Sequence, residues 1–176
     1  MTDWTERGEP IPVETVLREW VEREARKDAY PDADPAGWDR ERLLRELTET
    51  YEEPAEPVVD GREWYAVELD GDEVGELGTF PGSGWEWLSA DGTVAGAVER
   101  LDDGSVAAEV PGAAEKVAWF AERPARAFGA AVAWQRDGEW PPLLLDGNHR
   151  ACGAYRAARS GETVSLTVHL GVETGP

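Results

Sequence analysis

The sequence of 176 residues has few of the residues that build metal centres and covalent cross-links. It contains one cysteine, Cys152, and two histidines, His149 and His169. A single cysteine excludes an intramolecular disulfide, and this small set of ligands argues against a structural zinc site. No apolar run approaches the roughly 20 residues that cross a bilayer, and the first ten residues do not resemble a secretory signal. We therefore expect a cytoplasmic protein with no membrane partner.

Basic residues are also scarce. Seventeen Lys and Arg residues face 37 Asp and Glu residues, which gives a formal net charge of -20, and only Lys27 and Lys116 are lysines. Such a charge repels itself in dilute buffer and is screened in concentrated salt, where the Debye length falls to about 3 Å at 1 M. We therefore expect a halophilic protein. The alternative is an acidic surface combined with an arginine-rich coding bias.

The charge is unevenly distributed along the chain. Residues 1–100 carry 10 bases and 27 acids, a net charge of -17, whereas residues 101–176 carry 7 bases and 10 acids, a net charge of -3. An anionic ligand is therefore repelled less by the second part. A basic surface for neutralising backbone phosphates is missing, so nucleic acid is not an expected partner.

Hydrophobic periodicity predicts two amphipathic helices near the N-terminus, at residues 13–29 and 39–51. Between residues 63 and 110 the sequence pattern changes to short apolar runs separated by Asp-Gly at 70–71, 91–92 and 103–104. Because Asp-Gly between apolar runs is a hairpin signal, we expect mostly antiparallel strands between residues 63 and 110. Tryptophans in this stretch are expected to pack the sheet.

The C-terminal part predicts alternating strands and helices. We expect strands at 106–110, 130–135, 143–146 and 164–170, and helices at 113–122 and 148–160. The predicted fold class is α+β, with a β-α-β-β-α-β core, an N-terminal helical segment and additional antiparallel strands. We divide the chain into an acidic helical extension (1–60), a β-rich segment packed on the core (61–104) and the core domain (105–176).

The junction "DGNHR", residues 146–150, is the most distinctive motif. Gly147 allows a sharp turn from strand to helix, and Asn148 is a favourable N-cap. His149 and Arg150 then fall in the first helical turn, where unpaired N–H groups and the helix dipole favour an anion. The motif therefore predicts a phosphate site. The alternative is that Arg150 pairs with Asp146 and His149 is a satisfied side chain.

The stretch "LLLDGNHRACGAYRAARSGETVSLTVHL" resembles the ParB/sulfiredoxin-like superfamily. Members share a strand, a Gly-x-His-Arg or Gly-x-x-Arg turn, a helix with small residues and a closing strand. The upstream "AAEKVAWFAE" is similar to the sulfiredoxin helix that opens with Lys-Val. The resemblance covers about residues 105–172. It implies a nucleotide ligand (ATP, ADP or CTP) whose phosphates are surrounded by Gly147, Asn148, His149 and Arg150, with Lys116 as an additional phosphate or ribose contact.

The resemblance also implies an activity, a phosphotransferase or nucleotide hydrolase, in which Asp146 contacts Mg²⁺ and Glu109 or Glu115 is the base. Asn148 stands where sulfiredoxins carry their nucleophilic cysteine, so repair of peroxiredoxins by that route is excluded. Cys152 is interpreted as a buried small residue. The alternative function is a non-enzymatic protein-interaction module on the same scaffold.

Overall fold

The computed structural model describes residues 3–27, 34–55, 58, 61–82, 84–105, 110–136 and 139–173. In this part of the chain the fold is α+β, as predicted. Its α-helices are α1 (Val13–Lys27), α2 (Arg40–Arg45), α3 (Gly71–Glu76), α4 (Trp85–Leu88), α5 (Val94–Asp102), α6 (Ala113–Ala121) and α7 (Asn148–Arg159). Its strands are β1 (Glu9–Pro10), β2 (Arg62–Leu69), β3 (Ala131–Gln135), β4 (Leu143–Asp146) and β5 (Leu166–Glu173). A π-helical turn, Glu46–Thr50, continues α2.

The strands described form one mixed sheet in the order β1-β2-β5-β3-β4. Strand β5 lies at its centre, antiparallel to β2 and parallel to β3. Strand β4 pairs antiparallel with β3 and forms the edge from which α7 departs. Because β2 belongs to the middle of the chain and β3 to β5 to its end, the sheet joins the two parts through backbone hydrogen bonds.

Helices cover both faces of the sheet, and each face has its own apolar core. On one face α1 and α2 pack against alternate sheet residues, among them Trp64, Val132 and Leu145. On the other face α3, α5, α6 and α7 pack against the intervening residues, among them Val67, Ala133 and Leu144. This alternation follows from the two-residue period of a strand. Within the ranges described, no helix combines the length and apolarity required to span a membrane.

Most of the elements predicted at the two ends of the chain are confirmed. Helices α1, α2, α6 and α7 and strands β3, β4 and β5 lie where the sequence places them, within a few residues. Asp39 caps α2 by accepting a hydrogen bond from the Arg42 N–H at 2.9 Å. Of the strand predicted at 106–110, residues 106–109 lie outside the described residues.

The strands predicted between residues 73 and 101 are wrong, because this stretch forms α3, α4 and α5. The Asp-Gly at 70–71 opens a helix instead of a hairpin: Asp70 caps α3 in a reciprocal capping box with Glu73. Thr93 caps α5 by accepting from the Gly96 N–H at 3.0 Å. Of the strands predicted there, only the run at 63–69 is confirmed, as β2.

Candidate functional site

A cavity of about 800 Å³ lies where β4 passes into α7. Its walls come from three separate parts of the chain. The C-terminal part supplies residues 145–150 together with Lys116 and Phe120, the middle part Phe80 and Trp85, and the N-terminal part Lys27 and residues 51–54. The candidate site is therefore a product of the complete fold and is not confined to the DGNHR turn.

Gly147 makes the turn at the floor of this cavity. Its backbone is left-handed, with φ +96°, and a Cβ there would lie 2.9 Å from the Cβ of Ala131. Gly147 is also the N-cap of α7, so the prediction that Asn148 caps the helix is wrong. Asn148 is the first helical residue, and its Oδ1 accepts a hydrogen bond from the Phe80 N–H at 3.0 Å. Its side chain therefore anchors the loop at Phe80, while no side chain caps α7.

The first turn of α7 contains backbone N–H groups that the helix itself does not use. The first backbone bond of the helix runs from the Ala151 N–H to the Gly147 carbonyl, at 2.9 Å. The N–H groups of Asn148, His149 and Arg150 precede this bond and have no acceptor within the helix. They lie at the positive end of the dipole of a 12-residue helix. A helix N-terminus of this kind favours an anion, and the phosphate site predicted from the sequence stays a prediction.

Arg150 does not reach into the cavity as a free phosphate ligand. Its Nη2 donates to Asp146 Oδ2 at 2.7 Å, and its Nη1 donates to the carbonyls of Phe128 and Ala130 at 2.9 and 3.2 Å. The residue is 7% exposed. The alternative raised from the sequence, an ion pair between Arg150 and Asp146, is therefore what the structure contains. Arg150 holds the strand-to-helix turn in place, and its charge acts on the cavity only indirectly, from within this ion pair.

Asp146 is also bound by a second arginine, Arg23. Nη2 of Arg23, on α1, lies 3.1 Å from the same Oδ2 atom. Burial alone would raise the pKa of Asp146, but the charges of Arg150 and Arg23 hold it below its ordinary value. No group of three or more His, Cys, Asp or Glu residues suited to a metal ion occurs among the described residues. These contacts do not fit a protein-held Mg²⁺ at Asp146, and no step below is routed through one.

The two lysines of the sequence both line this cavity. Lys116 is exposed on α6, and Lys27 ends α1 with its Nζ 2.5 Å from Glu24 Oε1. His149 lies within their influence: burial, followed by the charges of Lys116 and Lys27, lowers the pKa of His149 to about 4. Its imidazole is therefore neutral at pH 7 and meets the ring of Trp85 edge-on, with centroids 4.8 Å apart.

A carboxylate that the sequence did not indicate also lines the cavity. Burial raises the pKa of Glu53 to about 7, and the nearby carboxylates of Glu24 and Asp146 add to the shift. When protonated, Glu53 can donate a hydrogen bond to Glu24. Glu52, the preceding residue, has a left-handed backbone with φ +53°. Such a conformation is uncommon for a residue with a side chain and marks this segment of the wall as constrained.

Of the two predicted bases, Glu115 is not brought to the cavity. Glu115 is exposed in the first turn of α6 and is not among the lining residues. Glu109 lies outside the described residues. Cys152 is fully buried, and burial raises the pKa of its thiol, which fits a packing residue. His169 lies on β5, where burial lowers the pKa of its imidazole to about 4, and it is not among the lining residues.

Comparison of the chain with models of protein families, with curated proteins and with solved structures finds no significant match in any of the three. The resemblance to the ParB/sulfiredoxin-like superfamily therefore stays a prediction that depends on the motif itself. The functional argument below is built from the contacts and charges of the cavity.

Proposed function

We propose that the cavity binds the phosphate groups of an anionic ligand, and that this ligand is a nucleotide such as ATP, ADP or CTP. One observation carries the proposal. In a chain with a net charge of -20, both lysines lie on the same cavity, together with the uncapped first turn of α7. Lysine ammonium groups and backbone N–H groups at a helix N-terminus are two standard means of binding phosphate.

The donors divide into those that are used within the protein and those that can reach a ligand. Arg150 and Arg23 are used by Asp146, and together the three groups leave one net positive charge beneath the turn. Lys116 and His149 line the cavity beside the first turn of α7. We assign the ligand contacts to Lys116, the N–H groups of this turn and the neutral imidazole of His149. A charge-assisted hydrogen bond contributes about 1.5–3 kcal/mol. Two or three such bonds support binding in the micromolar to millimolar range.

If the resemblance extends to activity, the reaction is phosphoryl transfer to an acceptor or to water. Such a reaction is mostly positioning and charge neutralisation, with a base that takes the proton of the attacking group. Of the predicted bases, Glu115 does not line the cavity. Glu53 does, and its pKa of about 7 is suited to a general base. We therefore assign the role of candidate base to Glu53.

The test is equilibrium binding of ATP, ADP and CTP in about 1 M KCl, where long-range repulsion is screened. We expect Lys116→Gln to weaken binding by about 10- to 100-fold, equivalent to the loss of one charge-assisted bond. The matched control is Arg159→Gln, which removes the same charge at the far end of α7 and should leave affinity unchanged. If the wild type does not bind nucleotide at millimolar concentration, the proposal is refuted.

The alternative, a protein-interaction module, has one observation in its favour. Trp87, on α4, is 58% exposed, and an exposed tryptophan is a common anchor in protein interfaces. Cross-linking in the native cell should then yield a complex that Trp87→Ala abolishes and Lys116→Gln does not affect. Loss of the complex in Lys116→Gln alone would assign the interaction to the cavity instead.

A further inference from the structure

A second concave surface adjoins the cavity. This aromatic groove has a volume of about 570 Å³, and its aromatic residues are Trp119, Phe120 and Phe128. Lys27, Phe120 and Arg150 line both the groove and the cavity. A ligand bound to the lysine side of the cavity therefore has the aromatic groove as its immediate neighbour.

The rings of the aromatic groove form a single cluster. The ring centroid of Trp119 lies 5.0 Å from that of Phe120 and 5.3 Å from that of Phe128. The two phenylalanine centroids are 4.7 Å apart. Trp119 nevertheless remains 46% exposed, and Trp87 is the other large hydrophobic residue exposed in the described ranges. Arg123 covers one face of the Trp119 ring, with its Cζ 4.0 Å from the ring centroid. The remaining exposed ring surface lies beside a charged cavity, although burial of such surface would be favourable.

The spacing along α6 relates the groove to the phosphate donors. Lys116 is followed by Trp119 and Phe120 at positions i+3 and i+4, which lie on the same face of a helix. Charged and aromatic contacts are therefore separated by about one helical turn, roughly 5.4 Å along the axis. A ligand that carries a phosphate and a planar ring joined by a short linker matches this arrangement. The charged lining of the groove is mixed, with Arg26 and Lys27 beside Glu19 and Glu22. Arg26 lies 3.8 Å from Glu22 and Lys27 2.5 Å from Glu24, so the groove suits a neutral planar ring better than an additional anion.

We propose that the aromatic groove binds the base of a nucleoside phosphate whose phosphate groups occupy the cavity, with Trp119 and Phe128 as its ring contacts. This inference rests on the proposed function of the cavity and adds the class of group that is recognised beside it. A stacked base needs no fixed hydrogen-bond partner, because every base has a π-face. A base bound in the groove would therefore give a nucleotide higher affinity than inorganic polyphosphate.

The experiment compares dissociation constants for ATP and for inorganic triphosphate in about 1 M KCl. We expect the wild type to bind ATP at least about 10-fold more tightly than triphosphate, within the range that base–aromatic stacking supplies. Trp119→Ala should remove most of this ratio and leave the triphosphate affinity unchanged. Trp119→Phe should retain most of it, because a ring remains. Trp87→Ala, which removes the other exposed tryptophan, is the matched control and should retain all of it.

The outcomes separate the two proposals. Equal wild-type affinities for ATP and triphosphate would overturn the base site and leave the phosphate site standing. A preference for ATP that Trp119→Ala does not reduce would also overturn the assignment to the groove. Absence of binding by either compound would overturn the phosphate site and, with it, this inference. Since Trp119 is half exposed, its replacement is not expected to unfold the protein, and the unchanged triphosphate affinity verifies this.

Discussion

The ion pairs beneath the strand-to-helix turn make a quantitative prediction for Asp146→Asn. Asp146 Oδ2 lies between Arg23 and Arg150, and the three side chains are 8–11% exposed. The amide preserves the shape of the carboxylate but leaves two buried guanidinium groups without their negative partner. Removal of one partner from a buried ion pair costs about 3–5 kcal/mol. In a protein of this size each kcal/mol lowers Tm by about 2–4 °C, so we expect a decrease of about 6–20 °C.

The measurement is thermal unfolding followed by circular dichroism at neutral pH and fixed salt. The matched control is Asp102→Asn, because Asp102 also contacts two arginines, Arg156 at 3.1 Å and Arg159 at 3.9 Å. Its side chain is 36% exposed, and exposed pairs contribute about 0–1 kcal/mol. The comparison therefore holds the number of ionic partners constant and varies the burial.

Acid should remove the difference between the wild type and Asp146→Asn. Although burial alone would raise the pKa of Asp146, Arg150 and Arg23 keep it below its ordinary value. The stabilisation is thus fully present above the unfolded pKa of about 3.9 and is lost as pH falls through the folded pKa. A cost for Asp146→Asn no larger than that for Asp102→Asn would refute this reasoning. The ion pairs of Asp146 would then contribute no more to stability than exposed ion pairs do.

Three other predictions concern the same protein in solution. Glu53→Gln should raise Tm relative to the wild type, and the difference should grow between about pH 4.5 and about pH 7. The folded pKa of about 7 lies above the ordinary value of 4.5, so the wild type loses stability as pH rises through this window. A difference independent of pH would contradict this prediction. Gly147→Ala should lower the free energy of unfolding by more than the about 1–2 kcal/mol of a left-handed residue, because the new Cβ also meets Ala131. Gly161→Ala, at φ +92° in open space, should cost only the backbone part. Equal losses of unfolding free energy in urea would exclude the steric contribution. Tm should rise from dilute buffer to about 1 M KCl because the net charge of -20 is screened, and a flat response would argue against adaptation to salt.

The stretch from residue 71 to residue 102 shows why local propensity misled the sequence prediction. Glycines at 71 and 75 disfavour a helix, yet both lie in α3 where it meets α7. A Cβ on Gly75 would lie 2.5 Å from the ring of Tyr155, so the glycine is required by the close approach of the two helices. In α5 the helical spacing was visible at Val94, Val98 and Leu101, but the Asp-Gly turns favoured hairpins.

The candidate site was predictable in its local part and unpredictable in its long-range part. The glycine turn, the helix after it and the position of His149 follow from five consecutive residues. The contact between Arg23 and Asp146 joins residues 123 positions apart, and no local pattern indicates it. The same holds for Glu53, which reaches the cavity from the N-terminal part of the chain. The scarcity of lysine was the one feature of the sequence that could have indicated a long-range contact, because its two lysines, Lys27 and Lys116, line the same cavity.

Because Arg150 is already bound to Asp146, other residues are expected to govern ligand affinity. A cation can bind an anion strongly only if neighbouring carboxylates do not already neutralise it, and an acidic protein has many such carboxylates. Arg150 and Arg23 share Asp146, and Lys27 contacts Glu24. Lys116, on α6, is exposed and lies about one helical turn from the aromatic residues Trp119 and Phe120 of the groove. The arginine of the motif therefore builds the turn that presents the backbone N–H groups, and the lysine outside the motif supplies the charge that a ligand would meet first.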